Sequence, residues 1–391
     1  MSNFSRLFWT EWKNLFTNKT IRLILFVVPV MYLTLFGFLY AEKRVMHIPA
    51  VMVDADQTEL SRELYRAFEA DQTFAISSIV GTEEEAMKLI DQGEASVALI
   101  IPPDLEKNVK AGREAEVLTV IDGSNIMISN TAVRAASTVV KSVSAGATLK
   151  KLEAHGGWGE EGKNLYTGID YRYRVLYNPT FSYMSFMVFG LAGTTLQQVL
   201  FLGIVLSVSQ QKEAGTWRET MENNSFWAIT ASKLLPYFLA GTLNMFLGFT
   251  LLLKGFGIPY YGSTVHFMLV ATAFNLAVLA IGYAISFIFK DQLQATQIAM
   301  LIAVPSFMLS GYTWPFMSMP TVVEAIGKSL PLTYFLHGVR EILSKGHGLS
   351  AVTSDLLALS FMTVLGLFAA YVSYLVQTRE KTAPASESTT V

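Results

Sequence analysis

Six long stretches of the chain contain no Asp, Glu, Lys or Arg, and they restrict the fold more than any other feature. They are 19 to 37 residues long: Leu23–Ala41, Val175–Gln211, Leu234–Leu253, Gly255–Phe289, Gln292–Val323 and Leu356–Thr378. A helix that crosses a bilayer needs about 20 apolar residues. Charged residues make up only 15% of the chain, against about 25% in soluble proteins, so a polar surface cannot cover it. The sequence therefore predicts a polytopic α-helical membrane protein with six transmembrane helices.

The connection between the first two stretches, residues 42–181, has a different composition. It holds 15 Lys and Arg and 21 Asp and Glu, more charged residues than the rest of the chain. Short apolar runs alternate with helical patterns in it, which is typical of an α/β unit. We predict strands at Ile48–Val53, Phe74–Val80, Ala95–Ile101 and Val117–Ile121, with helices at Thr58–Ala70 and Thr82–Asp91. The pattern indicates an α/β domain inserted between spans one and two.

The remaining segments complete the predicted organisation. Residues 1–20 form an amphipathic helix that either lies in the membrane interface or packs on the protein, or does both. Its apolar stripe consists of Phe4, Leu7, Phe8, Trp12, Leu15 and Phe16. We further predict span one at 21–41 and a membrane domain with spans two to six at 182–378. Within this domain, we expect a cytoplasmic loop at 210–228 and short helices at or dipping into the membrane at 310–350. Residues 379–391 are predicted to be a disordered tail.

The distribution of positive charge predicts the orientation. Short segments on the side of the N-terminus carry nine Lys and Arg, and those on the opposite side carry four. Positive residues favour the cytoplasmic side. We therefore expect a multi-pass protein of a bacterial plasma membrane with both termini in the cytoplasm and an extracytoplasmic α/β domain.

Several kinds of chemistry are not predicted for this chain. The chain has no cysteine and only five scattered histidines, so we expect no metal site, no bound cofactor and no catalytic residues. The tripeptide Gly327-Lys328-Ser329 lacks the glycine that a phosphate-binding loop needs five positions earlier, because Val322 stands there. The net charge of −2 without a basic block argues against a nucleic-acid partner. We therefore expect neither an ATP-binding motif nor an enzyme.

Polar residues in or near the spans are candidates for a transport pathway or gate. The candidates are Gln197, Gln198, Asn275, Tyr334 and Arg340. Polar side chains between membrane helices also serve as hydrogen bonds that hold helices together. For the amides in the spans, the sequence alone favours neither interpretation.

The predicted loop at 210–228 contains a charged cluster followed by Trp217 and Met221. These two residues are four positions apart and therefore share one face of a helix. An aromatic and a methionine beside charges suit a docking surface. By itself, however, this pattern indicates only an interfacial helix.

Several motifs in order along the chain resemble the permease subunits of type-2 ABC exporters. The cytoplasmic motif is Glu213-Ala214-Gly215-Thr216, and in the family it opens the helix that couples to the ATPase. The other motifs are Val53-Asp54-Ala55-Asp56, Ala98-Leu99-Ile100-Ile101-Pro102-Pro103-Asp104, Asp122-Gly123-Ser124-Asn125, Ser310-Gly311, Trp314-Pro315, and Pro331-Leu332-Thr333-Tyr334-Phe335.

The resemblance implies a half-transporter with a coupling loop that contains Glu213, Gly215, Thr216, Trp217 and Met221. Two separate ABC ATP-binding subunits would hold ATP and magnesium, and a second permease chain, identical or sister, would complete the path through the membrane lipids. The cargo in this family is amphipathic: drugs, antibiotics, peptides or lipids. The alternative is a membrane-anchored sensor that binds a ligand through its outer α/β domain, although six spans exceed what signalling needs.

Overall fold

The structure is a computed structural model that describes residues 3–42, 44–111, 113, 115–154, 174–289 and 291–379, with the side chains of 149–154 and 379 left out. Except for the backbone of Arg379, the predicted tail at 379–391 lies outside the described residues. The chain divides into two compact units. The membrane unit is Met1–Lys43 with Leu176–Val391, and the inserted unit is Arg44–Val175.

Six helices in the described part of the chain are long and apolar enough to cross a membrane. They are span 1 at Lys19–Leu39, span 2 at Tyr183–Glu213, span 3 at Phe226–Gly255, span 4 at Thr264–Ile288, span 5 at Gln292–Leu309 and span 6 at Leu349–Thr378. Each corresponds to one of the six uncharged stretches. The prediction of a polytopic helical membrane protein is thereby confirmed.

The N-terminal part of the membrane unit contains three α-helices. The first three are α1 (Asn3–Thr17), α2 (Lys19–Arg22) and α3 (Val28–Leu39), and a π-helical turn at Leu23–Val27 joins α2 to α3 within span 1. Span 3 ends in a second π-helical turn at Leu251–Gly255.

The inserted unit is a four-stranded sheet with helices on both faces. Its strands are β1 (Ile48–Asp54), β2 (Phe74–Val80), β3 (Val97–Ile101) and β4 (Leu118–Ile121). Its helices are α4 (Glu59–Ala70), α5 (Glu83–Asp91), α6 (Leu105–Lys110) and α7 (Ile126–Ala154). The predicted strands and helices are therefore present, with ends that differ by no more than two residues.

The strand order of the sheet is β2-β1-β3-β4, and β1 runs parallel to both β2 and β3, whereas β4 is antiparallel to β3. Alternate residues of β1 face opposite sides, as a strand requires. Ala50 and Met52 join one buried cluster with Phe68 of α4, and Val51 joins the other with Ala86 of α5. The α/β character predicted for this segment follows from these two apolar layers.

The rest of the membrane unit consists of α8 (Tyr183–Glu213), α9 (Thr216–Asn223), α10 (Phe226–Thr250), α11 (Thr264–Ile288), α12 (Gln292–Leu309), α13 (Thr321–Lys328), α14 (Pro331–Val339) and α15 (Thr353–Arg379). Helices α8, α10, α11 and α12 form the bodies of spans 2 to 5, and α15 follows a short 3₁₀ turn at Leu349–Val352 in span 6.

Span 2 lies at the centre of the membrane unit. Of its most apolar window, 72% is buried inside the chain, compared with 17% for span 6. A helix that is apolar on all sides is either buried in protein or faces lipid. Span 2 is therefore buried in protein, whereas span 6 mainly faces lipid.

Two short α-helices lie in the segment 310–350. They are α13 and α14, and α14 continues into a π-helical turn at Arg340–Ser344. Spans 3, 4 and 5 each cross the bundle once, so this segment lies at the end opposite to the loop between spans 2 and 3. One end of the bundle therefore carries the candidate loop residues, and the other end carries Tyr334 and Arg340.

Candidate functional site

The loop between spans 2 and 3 is a sharp turn followed by helix α9. Gly215 precedes the helix with φ of +72°, a left-handed backbone conformation that glycine adopts without steric cost. Thr216 is the first residue of α9, and its hydroxyl donates to the carbonyl of Gln211 at 3.4 Å. Ser225 then begins span 3, where its hydroxyl accepts the Ala228 N–H. This geometry explains why Gly215 stands in the motif.

Lys212 joins the end of span 2 to the end of span 4. Its Nζ donates to the backbone carbonyls of Ser286, Phe287 and Phe289 at 2.7–2.8 Å. The last carbonyls of a helix have no partner within that helix and carry its negative partial charge. The ammonium group therefore satisfies and neutralises the C-terminal end of span 4.

Glu213 performs the complementary task at the start of span 5. Its carboxylate accepts the backbone N–H of Gln292 at 2.7 Å and the side-chain Nε2 of the same residue at 2.5 Å. The first N–H groups of a helix are unpaired and carry a positive partial charge. Two adjacent residues of opposite charge thus clamp the turn between spans 4 and 5, and we name Lys212 and Glu213 the charged clamp.

The structure corrects the prediction that Trp217 and Met221 form a docking face. Both side chains are buried, at 4% and 7% exposure. Trp217 packs edge-on against Phe287 of span 4 with 5.4 Å between ring centroids. The hydroxyl of Tyr374 in span 6 donates to the backbone carbonyl of Met221 at 3.4 Å. The pair therefore fastens α9 to the bundle.

The opposite face of α9 is open. Arg218, Glu219 and Asn223 are exposed, and within the described part of the chain Arg218 and Glu219 take part in no ion pair. Because the buried face holds the helix in place, these side chains are presented on a fixed support. This exposed face is the part of the loop that another protein could contact.

A buried polar cluster, which was not among the predicted sites, connects α1 to spans 2 and 3. The carboxylate of Glu11 accepts from Lys233 Nζ at 2.5 Å, from the Ser207 hydroxyl at 2.5 Å and from the Tyr237 hydroxyl at 3.2 Å. Lys233 also donates to the Ser207 Oγ at 2.8 Å. Glu11 and Lys233 are only 2% and 3% exposed, so each charge depends on the other for compensation.

The position of Glu11 contained a signal for this cluster. It lies three residues after Phe8 and four before Leu15, and therefore within the apolar stripe of the amphipathic helix. Leu15 is fully buried, whereas Phe4 and Phe16 at the two ends of the stripe are exposed. Two interpretations were left open for α1, the membrane interface and packing on the protein. The side of α1 that carries Glu11 and Leu15 packs on the protein.

The three amides proposed for a pathway have different surroundings. Asn275 is buried and donates to the Thr242 Oγ1 of span 3 at 3.4 Å. This hydrogen bond joins two helices, as in the interpretation that the amides hold the spans together. Gln198 is half-buried. Gln197 is 5% exposed, and its Oε1 has no hydrogen-bond partner among the described residues.

Gln197 lines a cavity of about 70 Å³ inside the bundle. Residues from spans 2, 4 and 5 and from the turn between α13 and α14 form its walls: Phe201, Val278, Ile281, Ile302, Ala303, Ser306, Ser329, Leu330 and Pro331. A cavity of this size can hold water, which requires polar partners. Gln197 is therefore the amide that fits a pathway interpretation best.

Tyr334 and Arg340 lie together at the opposite end of the bundle, apart from Gln197. The Tyr334 hydroxyl donates to the carbonyl of Lys328 at 2.7 Å. The guanidinium of Arg340 donates to the carbonyl of Tyr312 at 3.0 Å and lies 4.6 Å from the centre of that ring. Both side chains line a second cavity of about 300 Å³.

Ionisable side chains brace the segment that contains Tyr334 and Arg340. His337 Nδ1 lies 2.7 Å from a carboxylate oxygen of Asp355 at the start of span 6, and this hydrogen bond raises the pKa of His337. Burial raises the pKa of Glu341, but hydrogen bonds from Lys345 and His347 outweigh it and lower that pKa. Burial also raises the pKa of Tyr312 to about 12, so its hydroxyl remains a donor, to Phe186 of span 2 at 2.6 Å.

Comparison with known proteins agrees with this architecture. The model of the family described as ABC-2 family transporter protein matches residues 19–372. The chain is similar to the probable multidrug ABC transporter permease YbhR of Escherichia coli strain K12, with 24% identity over 95% of this chain and 98% of that protein. It is also similar to the probable multidrug ABC transporter permease YbhS of the same strain, with 23% identity over 83% and 84% of the two chains.

A third relative is the inner membrane transport permease YhhJ of the same strain, which is 26% identical over 82% of each chain. The family match covers spans 1 to 5, most of span 6 and the inserted α/β unit. The motif-based resemblance is thereby confirmed, and the chain belongs to the ABC-2 family of transporter proteins.

Proposed function

We propose that this chain is the membrane permease subunit of an ATP-driven exporter. Its substrate is amphipathic or lipid-like, such as a drug, an antibiotic, a peptide or a lipid, and moves out of the cytoplasm or the inner leaflet. The observation that carries the proposal is the charged clamp, which links the loop of helix α9 to spans 4 and 5. The similarity to proteins described as probable multidrug ABC transporter permeases supports the substrate class.

The clamp supplies a route from the loop to the bundle. Two separate ATP-binding subunits, which hold ATP and magnesium, would contact the exposed face of α9 on each of two permease chains. A displacement of α9 acts on Lys212 and Glu213 directly, because only Gly215 and Ala214 separate them from the helix. It therefore moves the adjoining ends of spans 4 and 5 together, as in a rigid-body transition of packed helices.

The proposal includes an orientation and a gate. Both termini lie in the cytoplasm of a bacterial cell, the α/β unit lies outside, and the segment with α13 and α14 opens to release cargo. The count of Lys and Arg supports the orientation. The bracing of Arg340 and Tyr334 by hydrogen bonds to backbone carbonyls supports a segment with defined, breakable contacts.

Charge reversals on the exposed face of α9 test the coupling. Arg218→Glu and Glu219→Lys should each reduce co-purification of the ATP-binding subunit, or its stimulated ATPase activity, at least several-fold. Lys254→Glu is the matched control, since Lys254 is also exposed but lies in the last turn of span 3, at the opposite end. Full association and ATPase stimulation in both α9 variants would exclude this face as the contact.

A further inference from the structure

The cavity of about 300 Å³ beside span 5 has walls of two chemical kinds. Tyr312, Phe316, Tyr334 and Leu336 supply apolar surface, whereas Lys328, His337, Arg340 and Asp355 bring charged or titratable groups. The cavity lies next to the ends of two spans, since Ser310 and Gly311 follow span 5 directly and Asp355 is near the start of span 6. It is therefore at the level where a span leaves the hydrocarbon and meets lipid headgroups.

The charges around this cavity do not all cancel. His337 pairs with Asp355 at 2.7 Å, and Lys328 pairs with Glu324 at 2.6 Å. Nearby Glu341 accepts from Lys345 and from His347. Among the described residues, Arg340 takes part in no ion pair; its guanidinium donates to the carbonyl of Tyr312 and lies over the ring of that residue. Arg340 is therefore the cationic side chain of this cavity wall that has no carboxylate partner among the described residues.

The guanidinium of Arg340 retains hydrogen-bonding capacity toward the cavity. Arginine has five N–H donors in a planar fork, and Arg340 gives one of its nitrogens to the carbonyl of Tyr312. The guanidinium carbon also lies over the Tyr312 ring, 4.6 Å from its centre, in a cation–π contact. A fixed fork with free donors matches the paired oxygens of a phosphate group.

The surroundings suit a lipid more than a free ion. Trp314 is 57% exposed and Met317 93% exposed, and both lie in the link between span 5 and α13 that also contributes Phe316 to the cavity wall. Exposed aromatic and apolar side chains at a span end are typical of a membrane interface. An acyl chain could lie along this surface while its headgroup occupies the cavity.

We propose that this cavity is a binding site for the phosphate headgroup of an anionic lipid or amphiphile, with Arg340 as its anchor and Lys328 as a second, weaker contact. The side chain of Lys328 is more than half exposed and pairs with Glu324, so its ammonium group can turn toward a bound phosphate. The site is independent of the proposed export function, since binding needs neither the ATP-binding subunit nor ATP.

The test measures lipid binding to the purified full chain in nanodiscs of phosphatidylcholine. Fluorescent phosphatidylglycerol should bind saturably, whereas fluorescent phosphatidylcholine should not. Arg340→Gln should weaken phosphatidylglycerol binding at least 10-fold. Arg340→Lys should retain part of the affinity, because it keeps the charge and loses the fork. Lys254→Gln, which removes an exposed charge outside the cavity, should bind like the parent chain.

Lys328→Gln keeps the test informative if the arginine variants fail to fold, because an exposed lysine contributes little to folding. It should weaken binding two- to five-fold, and an unchanged affinity in that case would overturn the site. Equal binding of phosphatidylcholine, or parental affinity in a folded Arg340→Gln chain, would also overturn it. Displacement of the lipid by millimolar inorganic phosphate would overturn the headgroup assignment in favour of a free-anion site.

Discussion

The buried pair of Glu11 and Lys233 gives the most quantitative prediction. Lys233→Met would leave the Glu11 carboxylate 2% exposed with only the hydroxyls of Ser207 and Tyr237 as donors. Removal of one partner from a buried ion pair costs about 3–5 kcal/mol, because the remaining charge is uncompensated. Since Glu11 is on α1 and Lys233 on span 3, we expect this energy to favour detachment of α1.

The assay uses the absence of cysteine in the chain. Leu15 lies on the buried side of α1 and is fully buried, so a Leu15→Cys thiol reacts only when the helix detaches. An energy of 3–5 kcal/mol corresponds to an increase of about 100- to 4,000-fold in the detached population. The thiol labelling rate should rise accordingly in Lys233→Met until full detachment limits it. Lys13→Met, which removes an exposed lysine from the same helix, is the control and should leave the rate unchanged.

A double variant separates the ion pair from general damage. Glu11→Met with Lys233→Met removes both charges and should label more slowly than Lys233→Met alone, because an apolar replacement of a buried pair is often neutral. The reasoning would be refuted if Lys233→Met labelled within a few-fold of the parent. The reasoning would also be refuted if the effects of Glu11→Met and Lys233→Met on the free energy of α1 detachment were additive in the double variant.

Two further predictions concern packing and orientation. Gly327→Ala should lower the melting temperature by an amount equivalent to about 1–3 kcal/mol, because its Cβ would lie 2.2 Å from the carbonyl oxygen of Leu309. Gly348→Ala is the control and should leave the melting temperature unchanged, since a Cβ at that position meets nothing within 4 Å. Equal melting temperatures of the two variants would contradict close docking of α13 on span 5. In intact cells, an impermeant thiol reagent should label Asp91→Cys but not Glu219→Cys, both exposed positions, and the reverse pattern would invert the topology.

The spans and the sheet could be predicted from sequence because their signals are local. An uncharged run of about 20 residues has few alternatives to a membrane helix. In the inserted unit, apolar runs such as Phe74–Val80 coincide with the observed strand because alternation and turn residues bound them within a few positions.

The long-range contacts could not be predicted in this way. Lys233 and Glu11 are 222 positions apart, and no local pattern indicates that α1 packs beside span 3. The spacing of Trp217 and Met221 showed correctly that they share a face, but it contains no information about which face is buried. The bundle decides this, since the Phe287 ring lies beside Trp217.

The charged clamp could likewise be predicted only in part from the sequence. The motif indicated Glu213, and the structure adds its neighbour Lys212, which satisfies three carbonyls of another span. A lysine after an uncharged run is usually interpreted as a topological signal for the membrane boundary. Its contact with the end of span 4 depends on how the helices pack and therefore required the structure.

ATP-dependent transport tests the central claim most directly. Inside-out membrane vesicles would contain this chain together with its ATP-binding subunit, and the measurement follows the uptake of a fluorescent cationic or lipid-like amphiphile. We expect accumulation with ATP, and none with a non-hydrolysable analogue or without the ATP-binding subunit. Uptake that is indifferent to ATP, or ATP-driven loss of the amphiphile from the vesicles, would contradict it.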